Sequence, residues 1–250
     1  MENKDREQTL VLIKPDAMKN SLTGYVLSQL SQFHTGLRFA GLKVVHVSEM
    51  LADEHYAEHR GKVFFPSLIE YIRGHIHYPE VTWQHRVIAI VYQGPGAVKK
   101  IRDIAGPTNP HHAREEKPGC IRALGTVVPL KDAKGNVIGE RMDNLIHASA
   151  ADDEAEREIK LWFKPNDIPP LMHSYPVEVN EDSYYLKDNK LSMTHEAGSI
   201  CFLAPGNTAW KSDLDALRSM SKGEEAQCTL ETVVAKYLIN RAQESGVSGR

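Results

Sequence analysis

The stretch Thr9-Leu10-Val11-Leu12-Ile13-Lys14-Pro15-Asp16 decides the fold. Five aliphatic or β-branched residues in succession suit a buried strand, and the Lys-Pro-Asp that follows stops it in a turn. Downstream, Gly24 to Phe33 carries Val26, Leu27, Leu30 and Phe33 at helical spacing, so a helix is expected there. Leu42 to Val47 and Val87 to Tyr92 read as further strands, and Asp53 to His59, Ser67 to Ile72 and Ala97 to Ala105 as helices. Gly106-Pro107-Thr108-Asn109-Pro110 breaks the last of these, and a turn-rich region runs on to Asp143. Leu145-Ile146-His147 suits a short buried strand. The next helix, from Asp152 to Phe163, loads acid into its first turn, where it complements the helix dipole. Strands and helices that alternate in this way predict a small sheet with helices packed on it.

Composition narrows the class without naming a function. The chain has 250 residues, 41% hydrophobic and 25% charged, as an ordinary folded protein does. A net charge of −3 gives no global basic field, so any anion site has to be built locally and no specific nucleic-acid partner is expected. Three widely spaced cysteines, Cys120, Cys201 and Cys228, form no CxxC and read as free thiols. The opening MENKDREQ lacks an apolar signal core and the apolar runs are strand-sized, so no membrane span and a cytoplasmic location are expected.

The composition shifts after Pro169-Pro170 and Pro176, which sets a domain boundary: residues 1–170 and 171–250. In the second part, a strand pair is expected around Lys190 to Leu203, followed by a Pro205-Gly206-Asn207 turn. A helix opened by Ser212 with Asp215 in capping-box spacing comes next, and then a last helix from Thr229 to Gln243.

His147, in Asn144-Leu145-Ile146-His147-Ala148-Ser149, is either a structural histidine at a strand end or a reactive one. Glu158 lies on the following helix, either on a solvated face or folded back as an orienting carboxylate. Lys14, Arg102, Thr108 and Arg122 all sit at structured turns. Together they suit polyphosphate, whose oxygens need several fixed donors. No GxxxxGK with a following Ser or Thr and no GxGxxG occurs. His111-His112 and His75 with His77 lack companions at a recognised metal-ligand spacing, so no metal site built from protein alone is expected.

The motifs "TLVLIKPDAM", "AGLKVV", "HYAEHRGKVFFPSL", "GPTNP", "KPGCIR", "NLIHAS" and "EAEREIKLWF" together resemble, in order, those of the nucleoside diphosphate kinases over about residues 8–168. The resemblance implies an α+β, ferredoxin-like βαββαβ sandwich, assembled as a homo-oligomer, and it leaves residues 171–250 as a C-terminal extension of unknown role. It also implies a ping-pong phosphotransferase that moves the γ-phosphoryl of ATP, GTP or another triphosphate to a diphosphate such as GDP. By this resemblance His147 accepts the phosphoryl, Glu158 positions its ring and Ser149 lies beside it. Lys14, Arg102, Thr108 and Arg122 hold phosphate, Tyr56 and His59 line the phosphate side, Asn144 contacts the ribose and Phe64 stacks on the base. Mg²⁺ is implied as a cofactor that arrives on the nucleotide phosphates, and base selectivity is implied to be low, because stacking uses a face every base has.

Other uses of such a chain are a nucleotide-binding regulatory or interaction module, a phosphohistidine donor to proteins, and a structural interaction protein built through residues 171–250. Retention of the whole catalytic set favours the enzyme. Ala148 and Ala150 stand where the family's usual pattern has a glycine and an acid. Segments Arg73–Arg86 and Thr126–Met142 are longer than usual, and the second reads as a hairpin centred on Lys134-Gly135-Asn136. "HHAREE", at 111–116, reads as a loop.

Overall fold

The structure, a computed structural model, describes residues 3–238. The chain divides into two compact units between Ile159 and Lys160. The first contains β1 (Gln8–Ile13), α1 (Pro15–Lys19), α2 (Thr23–Gln29), α3 (Gln32–Thr35), β2 (Arg38–Val45), α4 (Glu49–His55), α5 (Phe65–Ile72), β3 (Val87–Gln93), α6 (Ala97–Ala105), α7 (Pro110–Glu116), β4 (Thr126–Lys131), β5 (Val137–Asp143), β6 (Ile146–Ala148) and most of α8 (Asp152–Trp162).

The main sheet has the order β2-β3-β1-β6, with every neighbouring pair antiparallel. This is the strand order of a ferredoxin-like βαββαβ sandwich. Leu12 faces Ala89 on one side and His147 on the other, and every residue of β1 is buried. A strand paired on both edges and covered on both faces needs an unbroken apolar run, which explains Leu10 to Ile13. Val11 and Ile13 share a core with Val26, Leu30, Tyr92, Ile101 and Ala148. Leu10 and Leu12 are fully buried on the opposite face. Truncating such a residue to alanine costs roughly 2–5 kcal/mol.

The same alternation positions His147. Its neighbour Ala148 belongs to the Val11 core, so His147 stands on the Leu12 face of the sheet. Ala148 is a strand residue without positive φ, so a side chain in place of glycine needs no unusual backbone there.

Several elements differ from expectation. The helix expected over Gly24–Phe33 ends at Gln29, and a second short helix begins at Gln32. Phe33 continues the apolar period but is 93% exposed. "HHAREE" is helix α7 rather than a loop, because Asn109 accepts from the His111 N–H at 2.8 Å and Pro110 occupies the first turn. β2 begins at Arg38, ahead of the expected start, and α4 begins at Glu49 behind a Ser48 cap. The expected hairpin is present as β4–β5, with Asp132 Oδ1 accepting from the N–H groups of Lys134 and Asn136 across the turn.

The second unit contains β7 (Val177–Val179), β8 (Tyr184–Lys187), β9 (Lys190–Ser192), β10 (Ile200–Leu203), β11 (Thr208–Trp210), α9 (Lys211–Ser221) and α10 (Leu230–Leu238). β9 and β10 do not pair with each other as expected; each flanks β8. Ser212 is not the cap of α9, which starts after Trp210, and Asp215 instead accepts from Lys211 Nζ at 2.8 Å. α10 ends at Leu238 among the described residues, and Gln243 lies outside them. The core here is built from Tyr184, Phe202, Leu214, Leu217, Val233 and Tyr237. Among the described residues, no helix is long and apolar enough to cross a membrane.

Candidate active site

The turn into β6 is a strained one. Leu145, not a glycine, has φ +70°, a conformation that costs on the order of 1–3 kcal/mol and persists only where neighbours impose it. The Lys-Pro-Asp turn does so: Leu145 N–H donates to Asp16 Oδ2 at 2.9 Å and its carbonyl accepts from the Lys14 N–H at 2.9 Å. Lys14 Nζ donates to Asn144 Oδ1 at 2.7 Å, and Asn144 Nδ2 donates to the Thr108 carbonyl at 2.8 Å. The turn after β1, the turn before β6 and the Gly-Pro-Thr turn are therefore joined through side chains. Burial lowers the Lys14 pKa to about 8.

His147 stands beside that junction. Its Nε2 lies 2.7 Å from Glu158 Oε2, which also accepts from Ser149 Oγ at 2.6 Å. Ser149 Oγ in turn accepts from the Leu10 N–H at 3.2 Å, which ties the carboxylate to the sheet. A carboxylate only accepts, so the ring proton sits on Nε2 and the lone pair on Nδ1. Burial, reinforced by Lys14 and Arg122, holds the His147 pKa well below the usual imidazole value, so the ring is neutral at pH 7. His55 packs edge-on against it, with ring centroids 4.5 Å apart, and its Nδ1 lies 3.6 Å from Glu158 Oε1. Here the ambiguity between a structural and a reactive histidine narrows: a neutral imidazole with an oriented lone pair is a competent nucleophile.

The cations converge on the same place. Arg122 is buried, and its guanidinium donates to the carbonyls of Gly106 at 3.0 Å and Ile146 at 3.3 Å, with Thr108 Oγ1 at 3.5 Å. Burial, with Arg102 close by, lowers its pKa to about 10. Arg102 Nη1 donates to the Ala148 carbonyl at 3.4 Å. The Gly106 turn that brings them together has φ +82°, and a Cβ there would lie 2.1 Å from Cys120 Sγ. Only glycine fits that approach.

These groups open on one cleft of about 520 Å³. Lys14, Tyr56, His59, Phe64, Arg102, Thr108, Arg122, Asn144, His147 and Glu158 all line it. Ser149 is fully buried behind it, against Glu158. Within it, the rings of Tyr56 and His59 stack with centroids 6.1 Å apart, and those of His59 and Phe64 meet at 5.6 Å. Lining residues that sequence reasoning missed include His55, Glu58, Arg141 and Glu154. His55 immediately precedes Tyr56 in a quoted motif, which was the available signal. Of the histidines weighed as metal ligands, His75 pairs with Glu70 at 2.7 Å, His77 with Asp143 at 3.1 Å, and His111 accepts from Arg114 at 3.1 Å. Among the described residues, the group spaced to hold a metal ion is His55, His147 and Glu158, whose ligand atoms lie within 4.8 Å of one another. Its nitrogen-rich donor set does not suit Mg²⁺, which takes oxygen ligands.

Comparison with known proteins bears on the same residues. The family model for nucleoside diphosphate kinase matches residues 7–168. The nucleoside diphosphate kinase of Pyrococcus abyssi is 37% identical over 183 residues, 73% of this chain and 96% of that protein. That of Thermus thermophilus is 36% identical over 162 residues, 65% of this chain and 98% of its own. A crystal structure of the Aquifex aeolicus nucleoside diphosphate kinase superposes with a TM-score of 0.51 at 31% identity, covering 65% of this chain and 99% of that one. The matched segment holds the whole cleft, and the chain belongs to the nucleoside diphosphate kinase family.

Proposed function

We propose that the protein is a nucleoside diphosphate kinase that carries the phosphoryl group on His147 Nδ1. The observation that carries this reading is the Glu158–His147 hydrogen bond, which leaves Nδ1 as the unprotonated nitrogen of a neutral ring. In the first half-reaction, the Nδ1 lone pair attacks the γ-phosphorus of a bound triphosphate. The P–N bond forms as the bond to the β,γ-bridging oxygen breaks, and the diphosphate leaves with that electron pair. Positive charge that develops on the ring is met by Glu158. A second diphosphate reverses each step, so one site serves both halves.

Lys14, Arg102 and Arg122, with Thr108, hold the phosphoryl oxygens, whose negative charge they neutralise without reorganising. Asn144 takes the ribose, the Tyr56–His59 side faces phosphate, and Phe64 offers the base a face for stacking. Mg²⁺, bound through nucleotide phosphate oxygens, supplies further charge neutralisation when present.

We assign residues 1–170 to catalysis and give residues 171–250 no catalytic part. Family membership supports a homo-oligomer, and the three free thiols support a reducing, cytoplasmic setting.

The test is a chase: protein labelled with γ-labelled ATP and Mg²⁺ is isolated and mixed with unlabelled GDP. Acid-labile label on the protein that moves to GDP as GTP is expected. Absence of either step contradicts the reading.

A further inference from the structure

Three elements far apart in sequence bring metal-ligating side chains to one point. His55 closes α4, His147 lies in the middle of β6, and Glu158 sits in the second turn of α8. His55 Nδ1 lies 3.6 Å from Glu158 Oε1 and His147 Nε2 lies 2.7 Å from Oε2, so each carboxylate oxygen faces one ring. The ligand atoms of the three residues lie within 4.8 Å of one another. Ligands of a tetrahedral Zn²⁺ stand about 3.3–3.6 Å from each other, so side-chain shifts of roughly 1 Å close the set.

Two imidazoles and one carboxylate are donors that Zn²⁺ takes, with a fourth position left for water. All three side chains line the cleft, from which both the ion and that water can arrive. Burial holds both rings in the neutral form that ligates metal. Neighbouring cations oppose an added positive charge: Lys14 and Arg122 act on His147, and Arg157 Nη2 stands 3.7 Å from Glu158 Oε1. Arg157 is 44% exposed and can turn out to solvent, while Glu154, which also lines the cleft, adds negative charge near His147. Lys14 and Arg122 remain, and they make the site selective. An ion held by charge alone is repelled, and one that bonds strongly to nitrogen gains enough to stay.

We infer that His55, His147 and Glu158 form an inhibitory Zn²⁺ site, in which the metal takes His147 Nε2 in place of the proton now shared with Glu158. That proton leaves to solvent and Nδ1 takes one up, so the ring stays neutral with its lone pair on the metal. Nδ1, the nitrogen that attacks, then has no lone pair to offer, and Glu158 is no longer free to meet charge on the ring. The loss of turnover rests on the phosphohistidine reading above; the metal site itself does not.

The experiment titrates Co²⁺, which substitutes for Zn²⁺ and absorbs visible light strongly when four-coordinate, into the protein without nucleotide. Nitrogen-15 NMR of histidine-labelled protein is recorded with and without Zn²⁺, and labelling by γ-labelled ATP and Mg²⁺ is followed with free Zn²⁺ set by a metal buffer. Visible bands that saturate, a His147 ring protonated at Nδ1 when Zn²⁺ is bound, and a loss of labelling that a chelator reverses are expected. His55→Phe keeps an aromatic ring beside His147 and removes one ligand, so Co²⁺ should bind it about 100-fold more weakly. At a Zn²⁺ concentration that silences the parent, this variant should label at its own metal-free rate. Absence of the bands, or a His147 ring that keeps its proton on Nε2 in Zn²⁺, overturns the site, and the second reading needs no variant to fold. Bands and loss of labelling that survive in folded His55→Phe place the metal elsewhere and overturn it as well. Metal bound at these residues with undiminished labelling overturns the inhibition. Protein that binds the metal there but never labels contradicts the phosphohistidine reading and leaves the metal site standing.

Discussion

The Oε2 atom of Glu158 is shared by His147 Nε2 at 2.7 Å and Ser149 Oγ at 2.6 Å. One oxygen thus sets the tautomer of the ring and anchors it to β1 through the Leu10 N–H. Glu158→Ala removes the acceptor and frees the tautomer. Formation of phosphorylated protein is expected to slow about 100-fold, the typical worth of a positioned proton partner. Single-turnover kinetics with γ-labelled ATP measure it, and a rate within twofold of the parent contradicts the account.

Ser149→Ala leaves the Leu10 N–H without its acceptor and takes one donor from Glu158. Stability should fall by about 1–3 kcal/mol, as buried groups lose their partners. Urea unfolding reads this directly, provided the slope of the transition is unchanged.

The pH profile follows from two displaced groups. His147 must be neutral to attack, and burial with nearby Lys14 and Arg122 lowers its pKa, so kcat/KM should hold steady as pH falls through the usual imidazole range. Lys14 must be charged to meet phosphate, and its pKa is lowered to about 8, so kcat/KM should decline as pH rises above that value. Arg at position 14 stays charged throughout the range, and Lys14→Arg should remove the alkaline limb even if it lowers the plateau.

At Gly106, φ is +82° and an added Cβ would meet both Sγ and Cβ of Cys120, at 2.1 and 2.7 Å. Gly106→Ala is expected to destabilise the first unit by about 2–4 kcal/mol and to raise KM for nucleotide, because the turn carrying Thr108 must shift. Cys120→Ala leaves a Cβ in place and should not rescue it. Thermal unfolding and steady-state kinetics of both variants decide the matter.

In the second unit, Asp213 is buried and accepts from Lys236 Nζ at 2.6 Å and Tyr237 Oη at 2.9 Å. Asp213→Ala leaves the Lys236 ammonium buried without its carboxylate. The loss should be about 3–5 kcal/mol, read by denaturant unfolding.

Much of this was legible because buried strands leave strong traces. Leu10 to Ile13 and Val87 to Tyr92 are apolar without interruption because they lie inside a sheet covered on both faces. Helix α7 was not legible. His111-His112-Ala113-Arg114-Glu115-Glu116 has one apolar residue and no period, and its helix is set by Asn109 and Pro110 instead. Phe33 misled for the opposite reason: the period runs on through it, while the chain leaves α2 at Leu30. In the cleft, motifs pointed to the residues in quoted stretches, and the fold brings these together. Arg141 left no such trace, since a charged residue in a hairpin strand looks like any solvated one until Ser67, Tyr71 and Asp143 are seen around it. Leu145 was equally silent: its left-handed backbone depends on Asp16, far away in sequence.

The central claim is that His147 carries the phosphoryl on the nitrogen that faces away from Glu158. Phosphorus NMR of the freshly labelled protein, with the label mapped to its peptide, measures both the residue and the ring nitrogen. A single signal for Nδ1-phosphohistidine at His147, lost in His147→Ala while the fold persists, is the result expected. A signal from Nε2, or label on any other residue, contradicts the account.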